Sequence, residues 1–196
     1  RVSIWAMPGP GPEPATFVGP GYGSPVDCCS FQAGGRPGPE ERWLVIGYRN
    51  GTVAVHSGAA LVAARTLHAG RVVACAAAGG DPTRGGLVVS AGYDDRVQLW
   101  WPKINDLISM PGNGAGLRCC AVIPASPAGP SRVVTGNADG TVRLWSTSHV
   151  PASWHPPRQS SPASYCCVSG DGRRVVSGGF GAPRQWLTGP DAGVPR

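Results

Sequence analysis

The sequence predicts an all-β fold, and three observations carry that expectation. β-Branched runs are short and are cut by glycine and proline, which number 30 and 21 among 196 residues. The dipeptides Asn50-Gly51 and Asp139-Gly140 sit between such runs, and these residue types tolerate the positive φ of a tight β-connection. A landmark also recurs: Cys29, Cys75, Cys120 and Cys167 lie 46, 45 and 47 residues apart. A period near 45 residues is the length of one four-stranded propeller blade. The expected architecture is therefore a partial β-propeller of four-stranded antiparallel blades.

The chain begins in mid-unit. "RVSIW" (1–5) matches "TVRLW" (141–145), so it reads as the third strand of a preceding blade. Residues 6–25 read as a Pro/Gly loop with "ATFV" as a fourth strand. The following units align without gaps as "WLVIGYRNGTVAVH" (43–56), "LVVSAGYDDRVQLW" (87–100), "RVVTGNADGTVRLW" (132–145) and "RVVSGGFGAPRQWL" (174–187). The first three run from an apolar triplet through a turn bearing Asn or Asp into a second strand. In "TVRLW", Val142 and Leu144 alternate with Thr141, Arg143 and Trp145, as a strand with two different faces requires. Each unit reads as a strand around its cysteine, a second strand, a tight turn and a third strand. A weaker fourth strand follows, best seen in "LVAART" (61–66). In the last unit Pro183 falls where a third-strand residue is expected, and proline fits a sheet only at an edge or bulge. The blade boundaries that follow are 1–19 for the end of a preceding blade, then 20–66, 67–110, 111–154 and a degenerate 155–196.

Residues 68–100, "HAGRVVACAAAGGDPTRGGLVVSAGYDDRVQLW", resemble a unit of the WD-repeat β-propellers. The resemblance implies a structural hydrogen-bond network of His68, Ser90, Asp94 and Trp100, with Thr135, Asp139 and Trp145 its counterparts one unit later. A buried indole N–H needs an acceptor, a buried carboxylate needs donors, and histidine bridges the two. The sequence departs from the pattern in places. No Trp-Asp dipeptide follows strand three, Asn113 stands at the histidine position of the third unit, the first unit has Asn50 and His56 for Asp and Trp, and the last has Gly181 at the aspartate position.

Seven cysteines, six of them as the vicinal pairs Cys28-Cys29, Cys119-Cys120 and Cys166-Cys167, do not suit a secreted disulfide framework. They lack the C-x2-C spacing of zinc sites. Neighbouring strand residues point to opposite faces, so both thiols of a pair can pack between blades as small hydrophobes. A reducing compartment, cytoplasmic or nuclear, is expected. No metal, cofactor or catalytic residue is expected: "GYGSP" (21–25) lacks the last glycine of a nucleophile elbow, and "GPGYG" (19–23) and "GNGAG" (112–116) are not dinucleotide fingerprints. No convergent acid–base cluster is visible. No apolar run approaches the ~20 residues of a membrane span, so no membrane partner is expected.

Binding remains. The resemblance implies that one mouth of the central channel is lined by Asp27 and Arg49, then Arg71, Val73 and Tyr93, then Arg118, then Tyr165 and Phe180. Arginine and aromatic side chains of this kind suit an acidic or phosphorylated peptide, or RNA. The net charge of +6 belongs either to a solvated surface or to an anionic partner. The chain starts at Arg1 rather than Met, so it reads as a piece of a longer polypeptide that supplies the remaining blades. Large NTPase–propeller scaffolds, the telomerase/vault-associated type among them, carry such C-terminal regions. The expected role is a non-catalytic scaffold for protein–protein assembly, with an RNA-associated propeller of a ribonucleoprotein as the alternative and an enzyme as a third.

Overall fold

The computed structural model describes residues 22–33, 43–58, 60–81, 84–125, 130–147, 159–169 and 171–188. The strand readings of 1–5 and 15–18 lie outside these residues. Every regular element among them is a strand. β1 (Val26–Ala33), β2 (Trp43–Tyr48), β3 (Thr52–Ser57) and β4 (Ala60–Thr66) form a first antiparallel sheet. β5 (Val72–Asp81), β6 (Gly85–Gly92), β7 (Arg96–Trp101) and β8 (Asp106–Pro111) form a second. β9 (Leu117–Ile123), β10 (Arg132–Asn137) and β11 (Val142–Ser146) form a third. β12 (Tyr165–Val168), β13 (Arg174–Gly178) and β14 (Arg184–Leu187) form a fourth.

The sheets stand side by side through their first strands. β1 runs parallel to β5, and only Gln32–Ala77 and Ala33–Ala78 pair across that junction. β9 then adjoins β5, and β12 adjoins β9. In the first sheet burial is greatest in the two middle strands, β2 and β3, and lowest in the outer one. All six residues of β2 are buried, whereas β4, the outermost strand of its sheet, is mostly exposed. Strands covered on both faces carry continuous apolar runs, and "WLVI" and "LVVSA" are such runs. The result is a partial β-propeller.

Three seams between sheets hold most of the core. Val45, Val53 and Val55 of the first sheet meet Val72, Cys75, Val88 and Trp100 of the second. Val89, Leu99 and Trp101 on the other face of the second sheet meet Leu117, Cys120, Val122 and Val133 of the third. Ile123, Val134, Val142 and Leu144 then meet Ala163, Val175 and Trp186 of the fourth. Each such side chain contributes about 1.5–3 kcal/mol by leaving water, so the seams are the main source of cohesion.

The fourth sheet corrects the gap-free alignment. Ser177 pairs with Arg184, and Val175 with Trp186. In the third sheet Thr135 pairs with Arg143, and Val133 with Trp145. The last hairpin is one residue shorter, so Trp186 occupies the place of Trp145 rather than that of Leu144. Pro183 precedes β14 and removes one rung from it. The cysteine landmark shifts as well. Cys166 pairs with Ser177 as Cys120 pairs with Thr135, so Cys166, not Cys167, is the counterpart of Cys120.

Candidate functional site

A loop before β5 and the turn after β6 place a histidine, a serine and an aspartate in contact. Asp94 Oδ1 lies 3.0 Å from His68 Nδ1, and Ser90 Oγ lies 2.8 Å from His68 Nε2. The Ala69 N–H donates to Asp94 Oδ2 at 3.0 Å and the Arg96 N–H to Asp94 Oδ1 at 3.3 Å. A carboxylate only accepts, so the His68 Nδ1–H donates to Asp94 and Nε2 accepts from the Ser90 hydroxyl. Gly92 makes the room: a Cβ there would meet His68 Nδ1 at 2.2 Å and Asp94 Oδ1 at 2.4 Å. Burial lowers the His68 pKa in spite of Asp94. Burial tends to raise Asp94, but the Ala69 N–H, His68 and the Arg96 N–H hold it below the usual carboxylate value.

Serine, histidine and aspartate in this order form the arrangement of a catalytic triad. A nucleophile must reach its substrate, however, and Ser90 is fully buried. The three residues instead tie the entry of β5 to the end of β6. Trp100 does not join them. Its indole nitrogen is buried with no hydrogen-bond partner among the described residues, and its ring packs into the seam toward the first sheet.

The counterpart groups of the third sheet split in two. The Trp145 indole donates to Thr135 Oγ1 at 2.9 Å. Asp139 serves its own turn, accepting from the Thr141 amide at 3.0 Å and the Thr141 hydroxyl at 2.6 Å. Asn113 donates to Thr141 Oγ1 at 2.9 Å. The fourth sheet carries a group that the gap-free alignment hides. Ser177 Oγ accepts from the Trp186 indole at 2.9 Å and also from the Gln159 amide. A tryptophan standing one residue early in the last unit was the signal for it.

The proposed mouth residues gather where each sheet's second strand ends. The Arg49 N–H bonds Pro25 O at 2.9 Å, Tyr93 bonds Arg71 O at 2.9 Å, and Ala138 bonds Gly116 O at 2.8 Å. These repeated bonds bring the residue after each second strand beside the residue before each first strand. Asp27 sits between sheets: Oδ1 accepts from Arg49 Nη2 at 3.1 Å, and Oδ2 lies 3.2 Å from Arg71 Nε. Only 5% of the Asp27 side chain is exposed, against 60% and 48% for the two arginines. Asp27 is thus a holder of arginines rather than a surface that a partner would meet. Arg118 is exposed, as are Tyr93 at 74% and Phe180 at 95%. Tyr165 is partly exposed and rests its hydroxyl end on Gly178. Val73 departs from the expectation: it is half-buried and packs into the seam with the third sheet.

Among the described residues no group of three or more His, Cys, Asp or Glu side chains is placed to hold a metal ion. No helix of the described residues is long and apolar enough to cross a membrane.

Comparisons with known proteins agree with this geometry. Residues 105–146 match the family model described as WD domain, G-beta repeat. That span takes β8 from the second sheet and β9–β11 from the third, so the sequence repeat is staggered by one strand against the sheets. Over 146 residues the chain is 30% identical to mouse "Telomerase protein component 1", a stretch that covers 70% of this chain and 5% of that protein. The crystal structure of the computationally designed Ika4 protein superposes with a TM-score of 0.60 at 21% identity, covering 89% of this chain and 96% of the other. At that identity the likeness is one of fold.

Proposed function

We propose, on the premise that this chain belongs to the WD-repeat β-propeller family, that it is a rigid non-catalytic platform for protein–protein assembly within a larger polypeptide. Function resides in a site rather than in a fold, and one observation carries the reading. Arg49 and Arg71 are held by the buried Asp27 across a seam with their outer faces exposed, and the exposed Tyr93 is tied to Arg71 through its backbone N–H. A guanidinium that is already oriented loses little freedom on binding a carboxylate or phosphate in a two-pronged pair. An exposed aromatic ring beside it supplies apolar contact area. The partner class this suits is an acidic or phosphorylated segment of another protein.

The test is direct binding of acidic and phosphorylated peptides to the chain, followed by fluorescence anisotropy. Changing Arg49, Arg71 and Tyr93 together to Ala should weaken binding at least about tenfold, since charged hydrogen bonds contribute about 1.5–3 kcal/mol each. Unchanged affinity would remove this face from consideration.

A second reading, an RNA-associated platform, is favoured by the net charge of +6 and by the likeness to a protein named as a telomerase component. RNA retention that falls steeply with salt would support it. No retention at low salt would rule it out. In either reading we propose blade divisions at 1–19, 20–66, 67–110, 111–154 and 155–196. Further blades come from the same polypeptide, and the setting is cytoplasmic or nuclear.

A further inference from the structure

The vicinal cysteines divide their thiols between seams. Cys28 of β1 and Cys75 of β5 meet between the first two sheets with their sulfurs 3.5 Å apart. Cys28 Sγ lies 3.7 Å from Val72 O, and Cys75 Sγ lies 3.6 Å from Val45 O. The seam between the third and fourth sheets repeats this arrangement. Cys119 Sγ lies 3.2 Å from Ala163 O and Cys166 Sγ lies 3.9 Å from Val134 O, as the first pair reaches Val72 O and Val45 O. Val72 and Ala163 each stand three residues before the second cysteine of their pair. The middle seam differs: Cys120 faces it, but the place of Cys28 and Cys119 is taken by Ala74. Two of three seams therefore carry an opposed thiol pair at the same repeat position, and the third carries half of one.

We propose that Cys28–Cys75 and Cys119–Cys166 are reversible disulfide sites, closed by a hydroperoxide, that fasten the first sheet to the second and the third to the fourth. A disulfide needs sulfurs about 2.05 Å apart, so Cys28 and Cys75 must approach each other by less than the width of an atom. Cys28, the less buried thiol of its pair, meets the oxidant. Its thiolate attacks one peroxide oxygen; the S–O bond forms, the O–O bond breaks, and the departing oxygen takes a proton to leave as water or an alcohol. This gives a sulfenic acid on Cys28. Cys75 then attacks Cys28 Sγ; the S–S bond forms, the S–O bond breaks, and the oxygen leaves as water with the Cys75 proton. Two thiols lose two electrons and two protons, and the peroxide takes them up. Strong reductant reverses the change, as expected for an intracellular regulatory disulfide. The middle seam stays unfastened, so oxidation stiffens the structure as two pairs of sheets.

The test treats the purified chain with hydrogen peroxide and then counts free thiols and maps cross-linked peptides. The seven thiols should fall to three, namely Cys29, Cys120 and Cys167. The mapped bonds should be Cys28–Cys75 and Cys119–Cys166, and reductant should restore all seven. Cys29→Ser should leave both bonds in place, whereas Cys28→Ser should remove the first and spare the second. Ala74→Cys supplies a gain-of-function control: it should add a third bond, to Cys120, and consume two further thiols. Bonds within the vicinal pairs, bonds between chains through Cys29 or Cys167, or seven thiols surviving an oxidant that fully converts a simple dithiol would each overturn the proposal. The peptide map of the unaltered chain decides the matter even if a variant fails to fold.

Discussion

Asp94 Oδ1 and His68 Nδ1 stand 3.0 Å apart, and that contact fastens the loop entering the second sheet to the turn leaving its second strand. Asp94 also accepts from two backbone N–H groups. Asp94→Ala deprives three donors of their acceptor at once and should lower unfolding free energy by about 2–3 kcal/mol. Asp94→Asn keeps one acceptor oxygen and should lose less. Urea midpoints of the three proteins check the order, and equal midpoints would show that the contact does not hold the sheet.

The same pair sets an acid response whose sign is fixed. His68 and His56 both sit below the ordinary histidine value of 6.5, each chiefly through burial. The unfolded chain therefore binds protons that the folded chain refuses. The stability this represents is fully present above pH 6.5 and is lost as pH falls through each folded value. Asp94 is held below 3.8, so its contribution is present above that value and disappears only in stronger acid. Thermal midpoints measured from pH 8 to pH 3 should begin to fall below pH 6.5 through the histidines, with the Asp94 contribution lost only below 3.8. His68→Gln should reduce the fall that begins below pH 6.5, with His56 still contributing; an unchanged profile would assign the acid response elsewhere.

Cys28 lies opposite Gly47, and Cys119 opposite Gly136, while the second sheet has Ala74 opposite Ala91. The sheets thus exchange volume across one strand pair, with a larger side chain on one strand matched by glycine on the other. A Cβ on Gly47 would meet Cys28 Sγ at 2.5 Å and Val72 Cγ1 at 2.6 Å. Gly47→Ala should therefore destabilise by about 1–3 kcal/mol. Cys28→Ala in the same chain should recover part of that loss, because it rebuilds the Ala–Ala pair of the second sheet. The residual clash with Val72 keeps the recovery incomplete. A double-mutant cycle by chemical denaturation measures the coupling, and strict additivity would refute the compensation.

These exchanges explain what could be read in the sequence and what could not. The architecture was legible because its signals are local and periodic: apolar runs such as "WLVI", turn dipeptides such as Asn50-Gly51, and a cysteine in each inner strand. His68, Ser90 and Asp94 were legible because a resemblance supplied their spacing. Trp100 was misplaced since nothing in the spacing says which way an indole nitrogen points. Val73 was misplaced because both faces of its strand look into seams, and Val73 packs toward the third sheet. The fourth sheet was misaligned twice: a missing turn residue moves Trp186 into the place of Trp145, and Tyr165 and Cys166 fill the positions of Cys119 and Cys120. The opposition of Cys28 to Cys75 joins two units across a seam, and no within-unit pattern encodes it.

The shorter last hairpin leads to a final comparison. Ser177 Oγ, fully buried, accepts from both the Trp186 indole and the Gln159 amide. Thr135 in the third sheet is equally buried and accepts the Trp145 indole. Ser177→Ala removes an acceptor shared by two buried donors, so it should cost about 2–4 kcal/mol, roughly twice the loss from Thr135→Val. Replacing Gln159 with Leu in the Ser177→Ala chain should return part of the difference, because an apolar side chain of similar size needs no acceptor there. Thermal denaturation of the three variants and the unaltered chain tests the ranking. If Ser177→Ala and Thr135→Val lost the same amount, Gln159 would contribute nothing to the fourth sheet, and the tryptophan–hydroxyl bond alone would account for both.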